Sequence, residues 1–139
     1  MEKLNVFVYG SLKKGFSNHY VMKLAKGEYI DGGVSSDSKF TMCGVGNSFP
    51  GLLSGTGKFS GEVYSVPKES ISYHLDMLEG YPDFYNRCSI KVTLNTSNDE
   101  VDALVYYLSD DYVKNYGEKL LLNSPRISYT NNVYTWNQL

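Results

Sequence analysis

The sequence predicts an α+β fold in a single domain, with strands outnumbering short helices. Three observations carry this. Runs rich in β-branched and aromatic residues recur along the chain, several of them separated by turns short enough for hairpins. Only two segments carry a helical signal, and strand and helix do not alternate as a doubly wound parallel sheet requires. At 139 residues with 42% hydrophobic content, the chain can build one core and leaves no room for a second domain of ordinary size.

The elements follow in order. Asn5-Val6-Phe7-Val8-Tyr9 marks a strand over 4–9 that runs into the polar turn Gly10-Ser11-Leu12-Lys13-Lys14-Gly15. Gly10 permits backbone conformations closed to other residues and lets a ligand approach the main chain, so successive N–H groups can converge on an anionic or carbonyl oxygen. A helix over 18–25, starting at Asn18, brings its positive end near that turn. Strands are expected near 28–36 and 38–43. The glycine-dense segment 44–56, containing Phe49-Pro50-Gly51-Leu52, is expected to be a loop with the composition of a pocket rim.

A strand over 58–66 leads to a helix over 68–79. Pro67 suits its first position and Glu69 its first turn; Ile71, Leu75 and Leu78 recur on one face, and Gly80 and Pro82 stop it. Strands over 86–96 and 100–108 close through a turn at Asn98-Asp99. The tail from Asn123-Ser124-Pro125-Arg126 through Trp136 reads as irregular backbone with a late aromatic strand or cover.

The second helix places one carboxylate unusually. At about 100° per residue, Glu79 lies roughly 40° from Leu75, on the flank of the buried stripe, whereas Asp76 lies roughly 100° beyond Leu75 and is expected to face water. Near Leu78, Tyr81, Phe84 and Tyr85, Glu79 is disfavoured as an anion both by desolvation and by the negative helix end. Such a group suits proton transfer. A solvated terminal glutamate, or one paired with Arg87, is the plainer alternative.

Other chemistries find little support. A net charge of −2, scattered along the chain, offers no basic stripe for nucleic acid and no polybasic membrane patch. Met1-Glu2-Lys3 leads straight into a strand, and no apolar run approaches bilayer length, so a cytoplasmic protein is expected. Cys43 and Cys88 do not form a CxxC pair; both are read as small buried hydrophobes, with no disulfide. His19 and His74 are too few for a ligand set, and His19 is expected to bond its own turn. No phosphate loop is present, and neither metal nor cofactor is expected. Thirteen tyrosines suit half-buried strands and a lined pocket as readily as an interface.

Taken together and in order, the motifs resemble a family. Val6-Phe7-Val8-Tyr9-Gly10-Ser11-Leu12-Lys13-Lys14-Gly15 with Asn18-His19, Phe49-Pro50-Gly51-Leu52, Gly61-Glu62-Val63-Tyr64, Leu75-Asp76 through Glu79 to Tyr85 and Arg87, and Val105-Tyr106 resemble the gamma-glutamylcyclotransferase-like (AIG2-like) family, nearest to its gamma-glutamylamine cyclotransferase branch. The resemblance spans about residues 4 to 108 and leaves the tail 109–139 poorly aligned.

It implies a compact mixed β-barrel with two or three short helices and a loop, Tyr9-Gly10-Ser11-Leu12, that holds the glutamyl end of a small substrate. Pro50 is implied to lie near that substrate, and one acid/base glutamate aligns with Glu79. The implied reaction closes an L-gamma-glutamyl amide to 5-oxoproline and expels an amine. Tyr85 could orient Glu79 or close the pocket, and Arg87 could pair with a carboxylate or merely flank its strand. A catalytically silent binding module on the same fold, or removal of a gamma-glutamyl protecting group from a larger metabolite, are the alternative functions. Leaving amine and oligomeric state are not fixed by the sequence.

Overall fold

The computed structural model describes residues 2–138. The strands are β1 (Lys3–Val8), β2 (Glu28–Ser35), β3 (Phe40–Val45), β4 (Phe49–Ser54), β5 (Lys58–Pro67), β6 (Tyr85–Leu94), β7 (Glu100–Leu108), β8 (Leu120–Leu121), β9 (Ile127–Thr130) and β10 (Val133–Trp136). Three short helical segments connect them: α1 (His19–Leu24), α2 (residues 68–79) and α3 (Asp110–Tyr116). The order β1-β7-β6-β2-β5 closes back on itself because β1 pairs in parallel with β7 and antiparallel with β5, giving a closed barrel of five strands. Among the described residues no helix is long and apolar enough to cross a membrane.

The end of β1, Val6-Phe7-Val8, is an unbroken apolar run because both faces of the strand are buried there. Val6 and Val8 join a cluster with Val21, Met22 and Ala25 near α1 and Ile71 and Leu75 of α2. Phe7 and Tyr9 join a second cluster with Phe59, Val63, Val92, Val105 and Trp136. The site described below lies where β1 ends between these two clusters.

Segment 44–56, expected as a loop, instead holds β4, paired antiparallel with β3 from Phe40↔Ser54 to Val45↔Phe49. Glycine and proline misled the reading because each meets a packing need. β4 lies at the edge of the three-stranded sheet β4-β3-β8, where Pro50 can lack a donor at little cost, and a β-carbon on Gly51 would lie 2.4 Å from Leu108 Cδ1.

α2 is also less regular than its stripe suggests. Pro67 ends β5 in extended conformation rather than opening the helix, and a π turn, Ile71–Leu75, separates Lys68–Ser70 from Asp76–Glu79. Extra-wide turns of this kind are rare and recur at functional sites. Gly80, at φ 63° and ψ 39°, then caps the helix in the left-handed region, with Tyr81 N donating to Asp76 O.

The tail forms the β9–β10 hairpin. Asn131 and Asn132 make its turn, with φ of 53° and 66° as a two-residue hairpin of this hand requires. β10 then lies parallel to β5 and buries Trp136 to 1% exposure, so this aromatic strand extends the barrel sheet. Cys43 is buried, but Cys88 is exposed on β6, contrary to the expectation that both are core residues. The buried positions of β6 are Tyr85 at its start and Val92 and Leu94 toward its end, with Cys88 between them.

Candidate active site

A cavity of about 310 Å³ opens where β1 ends, and Tyr9, Gly10, Ser11, Leu12, Pro50, Glu79 and Tyr85 all line it. The structure therefore brings together every site residue singled out in the sequence. Asn18, Leu78, Phe84 and Tyr106 line it as well.

The turn after β1 is held from several sides. Lys13 N donates to Gly10 O at 3.0 Å, Asn18 N donates to Ser11 O at 2.9 Å, and Lys14 N donates to Glu62 Oε1 at 2.9 Å. Asn18 does not cap α1 with its side chain; its amide donates to Ser11 Oγ at 2.9 Å. His19 Nδ1 lies 2.9 Å from Leu12 O, in keeping with the expected turn bond.

From the far side the tail grips the same turn. The buried Lys13 Nζ donates to Trp136 O at 2.7 Å and sits 4.5 Å from the centre of the Phe16 ring, while the Gln138 amide donates to Gly15 O. Within this brace the N–H groups of Gly10, Ser11 and Leu12 donate to no acceptor among the described residues. Unpaired donors at a cavity wall are suited to an anionic or carbonyl oxygen.

Gly10 has a different reason than expected. It is absent from the positive-φ residues, so no glycine-only conformation is needed there; instead a β-carbon would lie 2.7 Å from Pro50 Cγ and 2.8 Å from Cδ. The missing side chain admits the proline ring of β4 against the turn.

Opposite the turn stands Glu79. Among the described residues its carboxylate accepts no hydrogen bond and joins no ion pair, and burial pushes its carboxyl up to about 7. Three phenols surround this wall. Tyr9 OH donates to Tyr106 O at 2.6 Å, and Tyr85 OH donates to Pro50 O, so neither phenol is spent on Glu79. Tyr85 therefore ties β6 to β4 and closes the wall rather than orienting the glutamate. Burial raises both phenols well above their ordinary range, with Tyr85 and Glu79 adding to the effect on Tyr9, so both remain donors.

Asp76 does not face water. Arg87 Nη1 donates to its Oδ2 at 2.8 Å and Oδ1 at 3.0 Å, Tyr106 OH donates to Oδ1 at 2.6 Å, and the guanidinium lies 4.5 Å from the centre of the Tyr81 ring. The π turn underwinds the backbone just before Asp76, which an ideal helical angle ignores. This pairing consumes Arg87 and leaves Glu79 without a cationic partner. With side-chain exposures of 27% and 12%, the pair lies between surface and core. Arg87→Met is expected to lower stability by about 1–3 kcal/mol, read from the urea midpoint at unchanged slope. A shift within a few tenths of a kcal/mol would mean that the pair is idle.

Residues 6–126 match the family described as "Gamma-glutamyl cyclotransferase, AIG2-like". The chain belongs to that family. Gamma-glutamylaminecyclotransferase C of Danio rerio is 36% identical over 106 residues, covering 72% of this chain and 69% of its own length. The gamma-L-glutamyl-butirosin B gamma-glutamyl cyclotransferase of Niallia circulans is 36% identical over 81 residues, covering 55% of this chain and 46% of that protein. Among solved structures, an AIG2-like protein of Mus musculus superimposes with a TM-score of 0.68 at 28% identity, covering 81% of this chain and 80% of that one.

For a gamma-glutamyl cyclotransferase family member, the lining residues that sequence reasoning left without a site role are Asn18 and Tyr106. Each stands inside a motif quoted above, but only the packing of β7 and α2 shows that Tyr106 links the cavity wall to Asp76.

Proposed function

We propose that the chain acts as one catalytic domain that converts an L-gamma-glutamyl amide to 5-oxoproline and a free amine, with Glu79 as the single acid/base group. The observation that carries this reading is the unpaired Glu79 carboxyl, poised near 7, across a cavity from the free N–H groups of Gly10, Ser11 and Leu12. Those N–H groups would hold the glutamyl head and fold its chain so that the α-amine meets the γ-carbonyl. Bringing the two groups together within one molecule can lower the barrier by several kcal/mol.

Protons then move as follows. Glu79 takes one from the substrate ammonium, and the freed amine attacks the γ-carbon, forming the ring C–N bond. Glu79 returns that proton to the departing nitrogen as the amide C–N bond breaks, since expulsion of an amide anion is prohibitive. The extra proton on the ring nitrogen passes back to Glu79 and leaves with the product amine. No enzyme nucleophile enters the sequence. Tyr9, Tyr85 and Pro50 shape the wall against which the glutamyl head is held.

Because Glu79 must start ionised, kcat/KM is expected to rise with pH and level off above an inflection near 7. A flat profile between pH 5 and 9 in the wild-type protein would remove Glu79 as the base.

A further inference from the structure

The cavity is selective in what it lacks. Among its lining residues Glu79 alone carries a titratable carboxyl, and no lysine, arginine or histidine lines it. Lys13 and Arg87, the nearby cations, are committed to Trp136 O and to Asp76. A leaving group with its own carboxylate beside the scissile nitrogen would be desolvated next to Glu79 without a partner. The N–H groups at the turn cannot serve it, being needed for the glutamyl head.

What the cavity does offer is aromatic surface that continues beyond it. Phe49 and Phe84 line the wall with ring centres 5.8 Å apart. Phe84 stacks at 4.3 Å on Tyr112 of α3, and Tyr112 lies 5.0 Å from Tyr116, which is 48% exposed. A tilted array of rings thus runs from the reacting centre to the surface. It is held there by Ser109, which caps α3 by accepting from Tyr112 N at 3.1 Å and donates to Asp83 O at 2.6 Å beside Phe84.

We propose that the leaving group of this site is an arylalkyl amine with no charged group besides its reacting nitrogen, whose ring extends the Phe49–Phe84–Tyr112 array, and that Tyr112 is a specificity-determining residue. The inference rests on the cyclisation reading above. A ring added to such an array at a spacing of about 4.5–7 Å gains roughly threefold to tenfold in affinity beyond its area. The exposed carboxylates Asp110 and Asp111 immediately precede Tyr112 in the first turn of α3, so a cationic tail is the rival occupant.

The test compares kcat/KM for 5-oxoproline release from gamma-glutamyl-phenethylamide, gamma-glutamyl-methylamide, gamma-glutamyl-glycine and gamma-glutamyl-1,4-diaminobutane. The expected order places the phenethylamide first and the glycine derivative last. Tyr112→Ala is expected to lower the phenethylamide-to-methylamide ratio about threefold to tenfold, and Tyr112→Phe to keep it. A glycine or diaminobutane derivative turned over as well as the phenethylamide overturns the proposal, as does a ratio that Tyr112→Ala leaves in place. Absence of 5-oxoproline from all four substrates would instead overturn the underlying reaction.

Discussion

Glu79→Gln is expected to reduce kcat by about 10²–10⁴-fold, because glutamine keeps the shape of the side chain but can neither accept the ammonium proton nor return it. The same substitution is expected to stabilise the fold at neutral and alkaline pH. Below its ordinary value of 4.5 the Glu79 carboxyl is protonated in both folded and unfolded chains and contributes no difference. Between 4.5 and about 7 the unfolded chain releases the proton that the folded chain retains, so stability falls as pH rises. Above about 7 the loss levels off, at up to roughly 3 kcal/mol, and less to the extent that water reaches the side chain, which is only partly buried. Glutamine removes this cost. Thermal midpoints should therefore favour Glu79→Gln at pH 8 and converge at pH 4. Near-wild-type turnover would exclude the proton-transfer role, and a loss of stability at pH 8 would point to a structural one.

Gly10→Val is expected to damage the site through Pro50. The valine β-carbon would stand 2.7 Å from Pro50 Cγ, and a proline ring has no flexible end to swing aside, so either β4 or the turn must move. Overpacking of this kind costs about 1–3 kcal/mol, and displacement of the N–H groups of residues 10–12 is expected to lower kcat/KM at least about tenfold. Ser11→Ala provides the contrast. It keeps its N–H and loses only the acceptor for Asn18 Nδ2, a change worth about 1 kcal/mol of stability. A silent Gly10→Val beside an inactive Ser11→Ala would shift recognition from the backbone to the Ser11 hydroxyl.

These contrasts also show which parts of the molecule are legible without coordinates. β1 and the pair β6–β7 are readable because branched and aromatic residues fill both faces or alternate cleanly, and α2 is readable because Ile71 and Leu75 mark its buried face while Gly80 stops it. Glu79 follows from that stripe. β4 is not readable, since Gly51 and Pro50 signal a loop locally while their real constraint, the closeness of Leu108 and Gly10, comes from residues far away in sequence. Asp76 is misplaced by the assumption of a uniform helical angle across a π turn. The late aromatic strand of the tail is legible and appears as β10, but what the tail does is not. Its contribution is Trp136 in the core and a carbonyl offered to Lys13, a contact across 123 positions that no local pattern encodes.

The central claim is that Glu79 drives an intramolecular ring closure. Incubating the wild-type protein and Glu79→Gln with gamma-glutamyl-methylamide, and quantifying 5-oxoproline, glutamate and methylamine by mass spectrometry, tests it most directly. The account predicts equal amounts of 5-oxoproline and methylamine from the wild type, no glutamate, and at least about a hundredfold slower release from Glu79→Gln. Glutamate as the product, or 5-oxoproline released equally fast by both proteins, would contradict it.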